Sequence, residues 1–559
     1  MRARIRATFA LAVAVAMAAL PAAPVAAQNA PAASQAPAPP APMVTGAADR
    51  ELRLSLEEAV QKALESNQDI AVAKFDPQLS EQSVFSARGY YDPQVYSTLY
   101  HQSTDAKGTN AFSGGTTVNT KTDVWNFGTF LPVATGGSVQ LDFSNSKRDT
   151  NNAFSTYNPV FSSGLTLTVK QPLLRNFKID QPRYALRLAK KNREISDVQF
   201  RQTIIGTVAQ VKDYYYQLIY YIDALGAAQK SLQLAQRLLE ENEIRVKVGT
   251  MAPLDVVQAQ SEVASREEAV ILAENALYNA EDNLKRQIFP ENDPVMWHTR
   301  VIPTDRPTAE PTPVDVDAAI KNALENRTDV VAARKGLERN DLALQYYRNQ
   351  ILPDVNLFGN YGGSGAGGTQ LVRESLGGPV VSTIPGGYGD AVSEVFGRDY
   401  PTWQVGVNLA YAIPNRSAKA ARASARISKE QALASFRRLE MAVAAEVRTA
   451  ARGVESGFKR VQSTKAARVL AAQRLDAEEK KFAAGMSTNY FVTQAQRDLA
   501  TAEVAELQAI ADYRRSVINF QRVQEAGLSG SGAVAALSSG GSAQGSAAVR
   551  SSAAASSTQ

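Results

Sequence analysis

The side chains that most often carry out chemistry are nearly missing from this chain. Its 559 residues include two histidines, His101 and His298, and no cysteine. Thiol catalysis, disulfides, zinc fingers and iron–sulfur clusters are thereby excluded, and a nucleophile–histidine system or His-rich metal site is not expected. No carboxylates converge at a recognisable spacing. Tyr361-Gly-Gly-Ser-Gly-Ala-Gly-Gly368 is glycine-rich, but no Lys-Ser/Thr follows it and no clear helix starts there, so it is no phosphate loop. It reads instead as a flexible surface loop. The formal charge of +5 falls to +2 without Arg2, Arg4 and Arg6, too little for a nucleic-acid partner. No catalytic, cofactor-binding or metal residue is assigned, and no enzyme is expected.

What remains distinctive is a pair of turns. Gly249, with Asp255 and Gln258 after it, and Gly485, with Phe482 before it and Ser487, Phe491 and Gln494 after it, each stand between two helical stretches. Glycine is the favoured residue just past a helix end, and Asp255 also fits a cap of the helix that follows. Tyr96, Tyr100, Trp125, Trp403 and Tyr411 lie on or near alternating segments. They suit either an aromatic girdle at a membrane interface or the core of an ordinary sheet.

The elements that position these residues come in duplicate. Residues 55–74 reappear at an offset of 260: Ala59, Ala63, Leu64, Glu65, Asp69 and Ala73 recur as Ala319, Ala323, Leu324, Glu325, Asp329 and Ala333. Farther on, Gly249, Val256, Gln258-Ala259-Gln260 and Ala264 recur 236 positions later as Gly485, Val492, Gln494-Ala495-Gln496 and Ala500. Two blocks repeated in one order indicate a tandem duplication, with a first unit at 51–290, a linker at 291–314 and a second unit at 315–527. Each unit predicts a helix (about 55–91 and 317–351) ended by Pro93 or Pro353. Period-two strands such as Leu165–Lys170 and Trp403–Tyr411 follow. Then come a long helix (about 174–247 and 415–484) and a shorter one (about 254–289 and 489–525). In the first unit Val211, Leu218, Leu225, Leu232, Leu239 and Val246 stand seven apart, the seam of a coiled coil. Tyr214-Tyr-Tyr216 and Tyr220-Tyr221 on the same helix read as packing between helices near the barrel rather than as a ligand box. In each unit the two shorter helices together nearly equal the long one. The strands therefore belong at one end and the Gly249 and Gly485 turns at the other. A single chain has too few strands to close a barrel, so several copies must share one.

Before the first unit, Arg2, Arg4 and Arg6, an apolar Ala7–Leu20 and small residues up to Ala27 form a secretory signal peptide, 1–27. Residues 28–50 and 528–559 are a Pro/Ala-rich linker and a Ser/Gly/Ala-rich tail, both expected to be disordered.

The ordered set Ser55-Leu-Glu-Glu-Ala-Val60, Gln171-Pro-Leu-Leu-Arg175, Pro414-Asn-Arg416 and the two turns, over about 52–527, resembles the TolC family of outer-membrane efflux proteins. The resemblance implies a mainly α fold with a membrane β part. It implies a homotrimer whose protomers give about four strands each to one β-barrel in outer-membrane lipid, continued by a periplasmic α-helical barrel of coiled coils. It further implies an exit duct of a Gram-negative outer membrane, without cofactor or chemistry of its own. The duct would be served by a periplasmic adaptor (membrane fusion protein) and an inner-membrane transporter of RND, ABC or MFS type, for small molecules or polypeptides. Gly249, Asp255, Gln258, Phe482, Gly485, Ser487, Phe491 and Gln494 would then form the periplasmic aperture and adaptor tip, with Asp255 its main charge in a mixed polar and aromatic constriction. The strand region is longer in the first unit, with Pro93 and Pro172 79 positions apart against 61 for Pro353 and Pro414. An extra hairpin around Val124–Arg148, turning at Thr135-Gly-Gly137, would account for the surplus, either as longer loops or as added strands. The other reading is an exported coiled-coil or adhesin-like protein without a pore, which would not need the duplicated helix–strand–helix unit.

Overall fold

The computed structural model describes residues 50–108, 116–289, 294–375 and 377–525. The signal segment, the Pro/Ala-rich stretch up to residue 49 and the Ser/Gly/Ala-rich tail lie outside the described residues. In chain order, β1 (Glu51–Leu54) is followed by α1 (Leu56–Ser66), α2 (Gln68–Ala73) and α3 (Phe75–Arg88). Four strands follow: β2 (Gln94–Lys107), β3 (Thr117–Pro132), β4 (Ser138–Thr150) and β5 (Tyr157–Pro172). The first unit ends with α4 (Gln181–Lys247) and α5 (Pro253–Ile288). A short α6 (Pro294–Trp297) and β6 (Arg300–Pro303) lead to α7 (Val316–Asn326) and α8 (Thr328–Asn349). Then come β7 (Asp354–Arg373), β8 (Val380–Ile384), α9 (Tyr388–Gly397), β9 (Pro401–Ala410), α10 (Arg416–Ala483) and α11 (Asn489–Gln524).

The first helix of each unit is broken where the periodicity predicts one continuous helix. Ser55 and Glu58 close a capping box at the head of α1, with Ser55 N–H donating to Glu58 Oε2 at 2.9 Å. At Asn67 the backbone becomes extended, and its side-chain oxygen accepts the N–H groups of Asp69 (2.9 Å) and Ile70 (3.2 Å). An asparagine that bonds its own downstream backbone competes with the helix ladder. Its amide then donates to Gln287 on α5 at 2.9 and 3.1 Å, so the break also ties α1 and α2 to that helix. The second unit breaks at the equivalent Arg327, where Glu525 accepts the Thr328 N–H at 2.7 Å.

The long helix α4 starts at residue 181 rather than about 174, because Asp180 caps it by accepting the Arg183 N–H at 2.9 Å. Its seam is deepest at Val211 and Leu218, which pack with Leu277, Leu284 and Ile288 of α5. Tyr215 is fully buried there, against β1 and the residues after β6 rather than beside the large sheet. Its hydroxyl donates to the Leu54 carbonyl at 2.9 Å, and burial pushes it up to about 12. β1 and β6, which sequence periodicity does not reveal, pair in parallel beside this core. The second unit repeats the arrangement with Val447, Val454, Val461 and Tyr513.

All the larger strands form one antiparallel sheet in the order β2-β3-β4-β5-β7-β8, with β9 also paired to β7. Among the described residues the sheet has six long strands and one short one, where the resemblance implies about four per protomer in a barrel. The surplus of the first unit is the hairpin β3–β4, turning at 133–137 with Gly136 at φ +85°, and it pairs in register on both sides as part of the sheet. The glycine run 361–368, expected as a loop, is the interior of β7. Residues 354–363 of β7 pair with β9 and 370–373 with β8. Between those two stretches α9 lies against the strand. Glu394 of α9 accepts the Ala366 N–H at 2.9 Å, and a Cβ on Gly365 or Gly367 would collide with the Ala391 or Gly387 carbonyl. Glycine is needed there because the helix backbone approaches the strand so closely.

Candidate functional site

Two places could carry function: the faces of the sheet and the turns at the far end of the long helices. Register decides the faces, because alternate residues point to opposite sides. One face joins Val139, Leu141, Phe143, Leu165, Leu167, Val169, Val405 and Val407 into an apolar band. It extends from Val355 to the level of Trp125 and Leu99, ten residues along β7, or about 25 Å of height at a tilt of about 40°. Above it the same face turns polar, with His101 2.6 Å from Asp123. The opposite face carries Thr98, Asn126, Gln140, Ser144, Ser146, Thr166, Thr168, Asn360 and Gln404.

The expected aromatic girdle divides between these faces. Trp125 and Trp403 lie on the apolar side, Trp403 74% exposed, and Tyr411 follows the end of β9. Tyr96 and Tyr100 lie on the polar side, where the Tyr96 hydroxyl donates to Asp142 and accepts from Gln140. A residue of the right type in a strand of the right kind points either way according to parity alone. In their place α9 adds aromatic surface to the apolar side. Tyr388 packs edge-on against Trp125 and donates to Asn145 at 2.8 Å, and Phe396 meets Phe143.

At the other end, α4–α5 and α10–α11 close in matching turns. Gly249 (φ +84°) and Gly485 (φ +74°) adopt the left-handed conformation. Thr250 N–H donates to the Arg245 carbonyl at 2.9 Å and Met486 N–H to the Lys481 carbonyl at 2.8 Å, the Schellman closure. One apolar cluster of Leu238, Leu475, Phe482, Val492 and Leu499 joins the two hairpins. Arg245 lies 4.2 Å over the Phe482 ring and donates to its carbonyl at 3.3 Å. Asn242 is wholly buried and donates to Asn489 Oδ1 at 3.0 Å, and Asn489 donates to the Asp255 carbonyl at 3.4 Å.

The strongest link is ionic. Glu262 on α5, 5% exposed, accepts from Arg266 Nε of its own helix at 2.8 Å and from Arg497 Nε of α11 at 3.0 Å. Burial is the largest single influence on this carboxyl and works to raise it. The Arg497 hydrogen bond and the two guanidinium charges outweigh burial and hold it below the ordinary carboxylate range. Between α4, α10 and α11 a cavity of about 360 Å³ opens, lined by Glu241, Arg245, Asp476, Glu479 and Gln496 among others. Burial, and then the Glu241 charge, hold Glu479 above its ordinary value.

The residues singled out from the sequence take different places here. Asp255 is the third residue of α5 and does not cap it; Ala252 holds the cap position and Pro253 opens the helix. A carboxylate in the first turn still suits the positive end of the helix dipole. Gln258 is exposed, and Phe491 is half exposed beside Tyr490. Ser487 donates to Glu478 at 2.9 Å and Gln494 to Asp498 at 2.8 Å. Phe482, expected at the constriction, is instead buried between the hairpins. Asn242, Glu262, Asn489 and Arg497 join the site without standing out in the sequence reading. Asn242 had a signal, a polar residue on the seam between Leu239 and Val246. Glu262 and Arg497 had none, since a charge off the seam looks like solvated surface.

A sheet apolar on one face and polar on the other, joined to long helical hairpins that lock at their tips, defines a duct-forming membrane protein. The chain belongs to the outer membrane efflux protein family, which it matches over residues 59–288 and 319–523, and it is a channel component, not an enzyme. It is 25% identical over 345 residues to the outer membrane protein TolC of Vibrio cholerae, covering 60% of this chain and 72% of that one. Among solved structures, the outer-membrane channel OprN superposes with a TM-score of 0.60 at 17% identity, over 85% of this chain and 90% of that one. The CmeC outer membrane channel of Campylobacter jejuni superposes at 0.59 with 14% identity, over 84% and 86%.

Proposed function

We propose that this protein is a homotrimeric exit duct in the outer membrane of a Gram-negative bacterium. Three sheets would share one barrel in lipid, and the helices would form a tunnel through the periplasm. A periplasmic adaptor would dock at the tips around Gly249 and Gly485, and an inner-membrane transporter would supply the energy. Substrates would be small molecules or secreted polypeptides passed along the polar face. The observation that carries the reading is the division of the sheet into an apolar band of about 25 Å and a polar face, with both long edges, β2 and β9, exposed and unpaired among the described residues. In this reading the Glu262–Arg497 and Asn242–Asn489 links hold the periplasmic aperture closed, and Asp255 is its main fixed charge.

Single-particle electron microscopy of protein extracted from outer membranes tests the assembly. Expected is a threefold particle with a barrel and a helical tube of about 100 Å, the length of a helix as long as α4. A monomer, or a rod without a lumen, would instead establish a coiled-coil protein with no pore.

A further inference from the structure

We infer that the barrel of this duct contains eighteen long strands rather than twelve, so that its outer-membrane section admits larger hydrophilic polymers than a twelve-stranded wall would. The inference rests on the trimeric reading above and adds to it a pore size set by the hairpin β3–β4. That hairpin is wall and not loop. β3 pairs with β2 over fourteen consecutive residue pairs, Gln94–Phe130 through Lys107–Thr117. β4 pairs with β5 from Ser138–Lys170 to Arg148–Val160. Removing the hairpin from the plane would break both ladders. Its side chains also follow the faces of their neighbours. Trp125, Phe127, Val139, Leu141 and Phe143 continue the apolar band, while Asn126, Gln140, Ser144 and Ser146 continue the polar face. A loop extension would have no reason to keep that alternation through both strands.

Six long strands among the described residues of each chain, β2 to β5, β7 and β9, give eighteen in a threefold barrel. At about 4.8 Å between strands and a tilt of about 40°, the backbone cylinder is about 36 Å across, against about 24 Å for twelve strands. Diameter grows roughly in proportion to strand number, and barrels of sixteen to eighteen strands leave an aqueous channel. The lining suits bulky cargo. It is built mainly of Ser, Thr, Asn, Gln and Gly, and its fixed charges on the strands are few: Asp142, Arg148, Lys170 and Asp354. Such a wall hydrogen-bonds to a passing solute without selecting one sign of charge.

The test counts strands and measures access. Electron microscopy of the wild-type trimer should show eighteen wall strands. Twelve strands, with β3–β4 folded away from the wall, would overturn the inference and leave the duct intact; a particle without threefold symmetry would overturn both. In planar bilayers, poly(ethylene glycol) of graded size added on the extracellular side should enter the wild-type mouth and lower its conductance. Excising Thr117–Thr150, which joins β2 to β5 with the strand alternation preserved, should lower the largest admitted diameter by about 1.5-fold or more. An unchanged cut-off in a folded variant would overturn the inference, and if the variant does not fold the wild-type strand count still decides.

Discussion

Replacing Arg497 by alanine removes the ionic tie between the two hairpins without leaving Glu262 unpaired, because Arg266 still donates to it at 2.8 Å. What is lost is a two-nitrogen, charge-assisted contact from α11 to a buried acceptor. Such bonds contribute about 1.5–3 kcal/mol. Arg497 is itself 54% exposed, so solvent screening lowers the figure to about 1–2 kcal/mol per protomer. If each tip moved alone, the opening equilibrium would shift roughly 5- to 30-fold. If the three move together, the shift is about a hundredfold or more, since each 1.4 kcal/mol is a factor of ten. The assay is single-channel recording in planar bilayers at neutral pH, scoring open probability and conductance. The pH dependence supplies a second readout. Glu262 is held below its ordinary value, so its contribution to the link is complete above that ordinary value, near 4.5, and is lost as pH falls through the lowered one. Without Arg497 the guanidinium left on Glu262 is that of Arg266, on its own helix, so protonating Glu262 no longer breaks a tie between hairpins and the acid-dependent step in open probability should disappear. If Arg497→Ala matched wild type in open probability, conductance and acid response, Glu262–Arg497 would be a surface pair and the lock would lie elsewhere.

Three further outcomes are expected. Asn489→Ala strips the buried Asn242 amide of its acceptor and should cost about 1–3 kcal/mol, read as a lower Tm together with increased proteolysis near residues 242–255. Gly365→Val drives a side chain into the Ala391 carbonyl, so α9 should leave the strand and proteases should cut between β8 and β9, while long-helix content measured by circular dichroism stays unchanged. Asp255→Ala should reduce cation preference and alter single-channel conductance; unchanged values would remove Asp255 from the aperture and leave it a first-turn residue of α5.

Much of the helical half is legible in the sequence because it is periodic and duplicated. The seven-residue stripe through Val211 and Leu218, and the glycines at 249 and 485, place the long hairpins within a residue or two of their observed ends at the tips. The breaks at Asn67 and Arg327 escape periodicity because the apolar stripe continues across them. One is made by an asparagine bonding its own backbone, the other by Glu525 from the far end of the chain. The tip link is hidden for a related reason. Glu262 and Arg497 are 235 positions apart, and neither stands on a seam, so only the meeting of the two hairpins makes them partners.

The strand region shows how a length difference misleads when both repeats have changed. The first unit is longer between its bounding prolines, and that surplus alone could be taken up by loops. The structure shows a different cause. At the place where the first unit inserts the hairpin β3–β4, the second inserts β8 and α9 between its two long strands. The surplus is therefore a net figure, the balance of two insertions of different kind. The first lengthens the wall because its residues alternate and find hydrogen-bonding partners on both sides. The second does not, because among the described residues β8 pairs only with the far end of β7, on the edge that β9 also uses, and α9 packs its backbone over the face of β7 where Gly363, Gly365 and Gly367 carry no side chain. Alternation through Trp125–Leu131 and Val139–Phe143 separates the two cases, and the order of residue types along the chain is enough to carry that pattern.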